Sequence, residues 1–327
     1  MRKWLTLACI FTVTTAAAQP APPRPSSAPE PIVPQWAQIE TIETIESHAS
    51  PGPALWHITK GNSEVFVLGM IGNLPKGVTW NSKHLADVMT GAHTIITPPS
   101  ASFGALEVSW FIVTHCCSLF RLEDGKLDDF LPEPTRLRLA TMRESVGGDA
   151  KLYQGDEPLG AANRLGRDFA KKYELDGDNP MKVVNKLISE KHVKEQPAFR
   201  FEVIPLIKEA LKLTPQQQRP CLETAMEDTI RQKDHARPMA EAWAVGDIAD
   251  LKTHFAEPRT QDCLVAAVHA MGALEQNRVP GFVTAIDAAL EKPGKTMVVI
   301  GMGPLLRKGG VLELLEAQHL TIEGPPE

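Results

Sequence analysis

Val65-Phe66-Val67-Leu68-Gly69-Met70-Ile71-Gly72-Asn73-Leu74-Pro75 is an apolar run that breaks at a glycine into a turn of small residues. Met297-Val298-Val299-Ile300-Gly301-Met302-Gly303-Pro304-Leu305, more than two hundred residues later, repeats the pattern. Short apolar runs bounded by turn residues read as buried strands, and ligand-binding loops of α/β proteins sit at such strand ends. Further strands are expected at Thr94–Thr97 and from Leu320 to Glu323. Each is too short to stand alone, so the strands must share one sheet.

Between these ends the chain reads helical. The expected helices are Asn81–Thr90, Thr135–Val146, Leu159–Tyr173, Pro180–Ser189, Phe201–Leu213, Pro220–Asp234 and Met239–Val245, punctuated by proline and glycine. In Trp243-Ala244-Val245-Gly246-Asp247, Gly246 reads as a left-handed helix cap and Asp247 as the N-cap of the next helix. The predicted class is therefore α/β (α+β): a small central mixed sheet from N- and C-terminal strands with a large helical insertion.

The termini set the context. Arg2 and Lys3, the apolar run Trp4–Val13 and Ala16-Ala17-Ala18 read as a secretory signal peptide cleaved after Ala18. Residues 19–52 are rich in Pro, Ala, Ser and Glu and read as a largely disordered linker, with one short helix at Trp36–Ile45. Residues 53–327 form the expected domain. The reading is a secreted protein, periplasmic for a bacterial source, with no transmembrane helix in the mature chain. A net charge of −6 argues against nucleic acid as a partner.

Several chemistries are excluded by spacing. There is no H-E-x-x-H, no paired histidine motif and no G-x-S-x-G. Gly294-Lys295-Thr296 lacks the earlier glycine of a P-loop, since Ala289 stands there. Four cysteines follow the leader: Cys116, Cys117, Cys221 and Cys263. Cys221 with Cys263 is the preferred pairing, and Cys116 and Cys117 read as buried thiols in an apolar helix; sequence does not choose among the three connectivities.

Pro53-Ala54-Leu55-Trp56, then the strand, Gly69 to Pro75, Gly77 and Trp80 resemble the opening of the TraB/GumN family. Ala242-Trp243-Ala244-Val245-Gly246-Asp247 resembles its A-W-x-x-G-D, and Val298 through Gly310-Val311-Leu312-Glu313-Leu314-Leu315 resembles its closing signature. The resemblance implies a metalloprotease-like site whose ligands are two G-x-x-H histidines and an acidic residue, with the two glycine loops facing each other across a cleft. In this chain those positions hold Gly72, Pro304 and either Thr97 or Pro98. Glycine and proline offer no side-chain donor, whereas a divalent site wants three or four N, O or S ligands and an open position.

Two functional expectations follow. The first is a catalytically degenerate family member, a pseudoenzyme with no catalytic residue, no metal ligand and no cofactor, binding an unknown peptide, protein or small ligand in the old cleft. Gly69, Asn73, His93, Gly301, Gly303 and Arg307 would line that cleft. The alternative is a metal-dependent hydrolase or protease with rewired ligands, using Asn73, His93 and distant carboxylates around a divalent ion. Relatives also carry an Arg-Asn pair before the last strand, displaced here to Gln276-Asn277-Arg278. Arg307 and Lys308 place positive charge near the cleft mouth, suited to an anionic group such as a C-terminal carboxylate, or else are solvated residues at a helix N-terminus. Gly69 and Gly301 read either as part of a surviving ligand pocket or as strand-end turns that need unusual backbone angles.

Overall fold

The computed structural model describes residues 52–103, 120–255 and 258–325. Cys116, Cys117, the Trp36–Ile45 segment and residues 1–18, where a leader is expected, lie outside the described residues.

A six-stranded mixed sheet sits at the centre, in the order β5-β3-β7-β2-β1-β8. Its strands are β1 (Leu55–Lys60), β2 (Ser63–Met70), β3 (Ala92–Thr97), β5 (Lys194–Pro197), β7 (Gly294–Gly301) and β8 (Thr321–Glu323). The four strands β5, β3, β7 and β2 run parallel. β1 is antiparallel to β2 and to β8. β7 slots between β2 and β3, so the end of the chain completes the sheet begun at its start. Met297, Val298, Val299 and Ile300 on β7 are wholly buried, as are Val65, Val67 and Leu68 on β2. A strand covered on both faces reads as a continuous apolar run rather than an alternating one, which is the pattern of both stretches. A separate two-stranded parallel ribbon pairs β4 (Ser100–Ser102) with β6 (Arg200–Glu202).

The helices are α1 (Lys83–Met89), α2 (Glu133–Ser145), α3 (Pro158–Lys172), α4 (Pro180–Lys191), α5 (Val203–Ala210), α6 (Pro215–Val245), α7 (Ile248–His254), α8 (Thr260–Ala267), α9 (His269–Leu290), α10 (Met302–Leu306) and α11 (Val311–Glu316). Most of them fall between β3 and β7, as the insertion pattern predicts. The segment Phe201–Leu213 is not one helix: Arg200–Glu202 is strand and the helix is Val203–Ala210. The two expected helices Pro220–Asp234 and Met239–Val245 are one helix of 31 residues, with Pro220 and Pro238 inside it. Each proline removes one backbone donor. That loss is outweighed by the apolar face that continues through Leu222, Met226, Ala240 and Trp243. Thr214 and Gln217 close a reciprocal capping box at its start. Gly246 ends it with φ +78°, and Asp247 caps α7 by accepting from the Asp250 N–H at 2.8 Å.

A second apolar core lies inside the insertion, around Leu127, Leu139, Tyr153, Leu165, Phe169, Leu222 and Met226. Among the described residues no helix is long and apolar enough to cross a membrane.

Candidate functional site

Because β2, β3 and β7 are parallel, their C-terminal ends meet on one edge of the sheet. Gly69 pairs with Ile300 and Met70 with Gly301, so the two glycine loops leave the sheet side by side. They close on each other instead of facing across a cleft. A Cβ at Gly69 would lie 2.7 Å from Met302 Cε and 3.0 Å from Leu305 Cδ2. The turn reading of these glycines is also corrected. Gly69 lies within the strand and is not among the residues of positive φ, and Gly301 has φ −60°. What Gly69 supplies is room for α10 to approach.

The carbonyl of Gly69 accepts a buried hydrogen bond from Trp243 Nε1–H at 2.7 Å. Trp80 meets the same indole edge-on at 5.3 Å between ring centroids. The Trp-Gly-Asp stretch therefore stops α6, starts α7 and ties the insertion to the first loop. That loop is also stitched to the turn after α3: Leu74 N–H donates to Asp178 O at 2.8 Å and Lys76 N–H to Glu174 O at 2.7 Å.

The three positions at which the resemblance leads one to expect ligands lie at the C-terminal ends of β2, β7 and β3. Gly72 is exposed, and a Cβ there would meet nothing within 4 Å. Pro304 sits inside α10, with its ring against Gly301. Thr97 is buried and Pro98 is exposed at the end of β3. One hydroxyl is thus the whole side-chain donor set of Gly72, Pro304, Thr97 and Pro98, and it does not fit a divalent ion. Among the described residues no three His, Cys, Asp or Glu side chains converge as a metal site would require.

The other expected cleft residues divide. Gly303 is buried in α10, and Asn73 is exposed beside Gly72. His93 is at the opposite end of β3, where its ring lies against Gly294 at the start of β7. At about 3.3 Å per residue it is roughly 13 Å from Thr97, so the rewired set Asn73 and His93 is not brought together. Arg307 is neither a free cation nor at a helix N-terminus. It is the C-cap of α10, and its Nη1 donates to Glu275 Oε1 at 2.8 Å. Arg278 Nε holds the other oxygen of that carboxylate at 3.0 Å.

Sequence reading did not find a cavity of about 1160 Å³, which opens beside Asn73 among the described residues. Its walls are α3, α5, α6 and the α8–α9 corner. The cysteines that read as the preferred pair do meet: Cys221 and Cys263 are bonded, with Cα atoms 5.3 Å apart, and join α6 to α8. Asp228 on α6 adds a second tie. Its carboxylate accepts from Thr260 N–H at 2.7 Å, from Thr260 Oγ at 2.6 Å and from Arg231. Burial pushes that carboxyl up, but the Thr260 and Arg231 bonds outweigh it and hold the pKa below its ordinary value.

A central mixed sheet, paired glycine loops at one edge and a helical insertion define the class of the molecule. The chain belongs to the TraB/PrgY/gumN family, whose model matches residues 54–324. Searches of curated proteins and of solved structures each return no match.

Proposed function

We propose that this chain is a catalytically degenerate member of its family, a secreted, periplasmic protein that binds a ligand at the former active-site edge and does not hydrolyse it. One observation carries the reading: glycine, proline and a lone threonine or second proline stand at the positions where the family places its metal donors. Losing a partner of a metal ligand costs roughly 10–100-fold in affinity or activity, and here the ligands themselves are gone. The intact frame supports retained use of the shape. Trp243 still fastens the first loop, and the space beside Gly72 remains open. The separation of His93 from Asn73 speaks against a rewired metal hydrolase.

Elemental analysis of native protein, followed by dialysis against zinc, tests the proposal. The expected result is no stoichiometric transition metal in the wild type and uptake by the Gly72→His/Pro304→His variant. One tightly held equivalent of zinc in unmodified protein overturns it.

A further inference from the structure

The cavity beside Asn73 has a division of chemistry that the glycine loops lack. Its interior is apolar, with Leu206 and Ile207 from α5, Leu264 from α8, Val268 and Met271. Helix α8 has no buried residue at all. It is held to α6 by the Cys221–Cys263 bond and by Asp228, while Leu264 and Met271 stay only partly covered. An apolar helix face tied in place over a hollow, with little of it packed, is the lining of a site whose occupant completes the burial.

The mouth carries charge on one side. Asn163, Arg167 and Lys171 recur every four residues along α3, so they share one face, and all three line the cavity. Neither cation has an ion-pair or hydrogen-bond partner among the described residues. Of the three lining carboxylates, Asp228 alone is paired with a cation among the described residues. Asp228 is saturated as described, and Asp168 accepts from Tyr153 O–H at 2.9 Å. Asp176 is the one lining carboxylate without a partner among the described residues. Arg167 and Lys171 thus share the rim of an apolar chamber with Asp168 and Asp176, and among the described residues neither cation is held by either carboxylate. The volume exceeds the roughly 300–1,000 Å³ usual for small-ligand sites, which suits a long flexible body better than a compact metabolite.

We infer that this cavity binds an amphipathic anion: a flexible apolar chain inserted between α5, α6 and α8, with its anionic head against Arg167 and Lys171. A long-chain carboxylate is the simplest such ligand. The inference goes beyond the binding role proposed above: it assigns a ligand class to a second site, in the helical insertion, that opens beside Asn73.

The test is a fluorescence titration of the full-length chain with 11-(dansylamino)undecanoate, followed by displacement. Saturable one-to-one binding is expected, displaced by palmitate and more weakly by dodecyltrimethylammonium. Lysophosphatidate is the second displacer, and it separates a phosphate head from a carboxylate one. Arg167 and Lys171 are exposed, so Arg167→Gln with Lys171→Gln leaves the fold intact. It should weaken the dansyl probe about tenfold or more, the loss of one charge-assisted hydrogen bond. Ile207→Gln should weaken anionic and cationic amphiphiles alike. Absence of saturable binding up to roughly 100 μM, equal displacement by the cationic amphiphile, or an unchanged affinity in the double variant overturns the inference. Zinc content of the same preparation keeps the two claims apart. Stoichiometric zinc with probe binding intact defeats the degenerate-enzyme reading alone, and zinc-free protein that ignores the probe defeats the amphiphile alone.

Discussion

Among the described residues, the buried polar side chains around the sheet are Ser63 and Thr97; around the insertion they are Thr135, Arg143, Asp156, Gln218, Asp228 and Thr229. The sheet is held by apolar burial, which depends on volume and has no direction. The insertion is held by directional contacts. Arg143 grips Asp128 through two nitrogens at 2.9 and 3.2 Å. Asp156 takes Arg121 at 3.1 Å and Arg164 at 2.6 Å. Gln218 satisfies its amide fully, donating to Glu157 and to Leu213 O and accepting from Leu159 N–H. A buried polar network of this kind is costly wherever a member lacks a partner, and among these groups Arg143 Nε is buried without a hydrogen-bond acceptor among the described residues. The same chain thus builds one half that tolerates volume-conserving swaps and another sensitive to the loss of single partners.

The comparison can be broken hardest at the joint between the halves. Trp243→Ala removes a buried indole and strands the Gly69 carbonyl. A loss of about 3–5 kcal/mol is expected, read as a lower urea midpoint. A loss below about 1 kcal/mol would mean that the loop and α6 are fastened elsewhere. Next in size is Cys221→Ser with Cys263→Ser. The bond closes 42 residues, so its removal should cost about 2–4 kcal/mol. Because α8 buries nothing, its amide hydrogens should exchange first, before those of β7; uniform exchange across both would contradict the contrast.

The smallest effect sharpens the comparison through pH. Burial pushes the Asp128 carboxyl up, but bonds from Arg143 and Gln154 outweigh it, and its pKa sits below the ordinary 3.8, as that of Asp228 does. Groups with a depressed native pKa stabilise the fold fully above their unfolded value and lose that contribution as pH falls through the native one. Lowering the pH from 7 to 3 should therefore loosen α2 and the α6–α8 contact while β7 keeps its protection, as followed by hydrogen exchange. At neutral pH, Arg143→Met should cost about 1–3 kcal/mol, at the low end because Asp128 keeps partial solvent contact. If β7 lost protection first, the division of labour would be wrong.

The sequence shows the apolar half most clearly. Val65–Leu68 and Met297–Ile300 announce buried strands because both faces are covered, and local spacing is enough to find them. Caps read equally well at Gly246 and Asp247, since capping is decided within a few residues. β1 and β5 were missed, because Trp56, Ile58 and the polar Lys194-Glu195-Gln196 become strand only through partners distant in sequence. α8 was missed as well, and α9 was expected only from relatives, through Gln276-Asn277-Arg278: Gly272, Pro280 and Gly281 interrupt its pattern, while tertiary packing of Val279, Phe282 and Ile286 sustains the helix. The cavity was invisible, because its walls come from four segments that no spacing rule connects. His93 misled for the same reason: nearness in sequence to Thr97 says nothing about which end of a strand a side chain occupies.

Helix α6 runs unbroken from the disulfide at Cys221, past Thr229 in the cavity wall, to the indole of Trp243 beneath the first loop. At 1.5 Å per residue its 31 residues span roughly 45 Å. It is a single strut carrying three fittings, so one backbone element serves the disulfide, the hollow and the strand end. Pro238 is the place where that strut has a built-in weak point, between the wall and the indole.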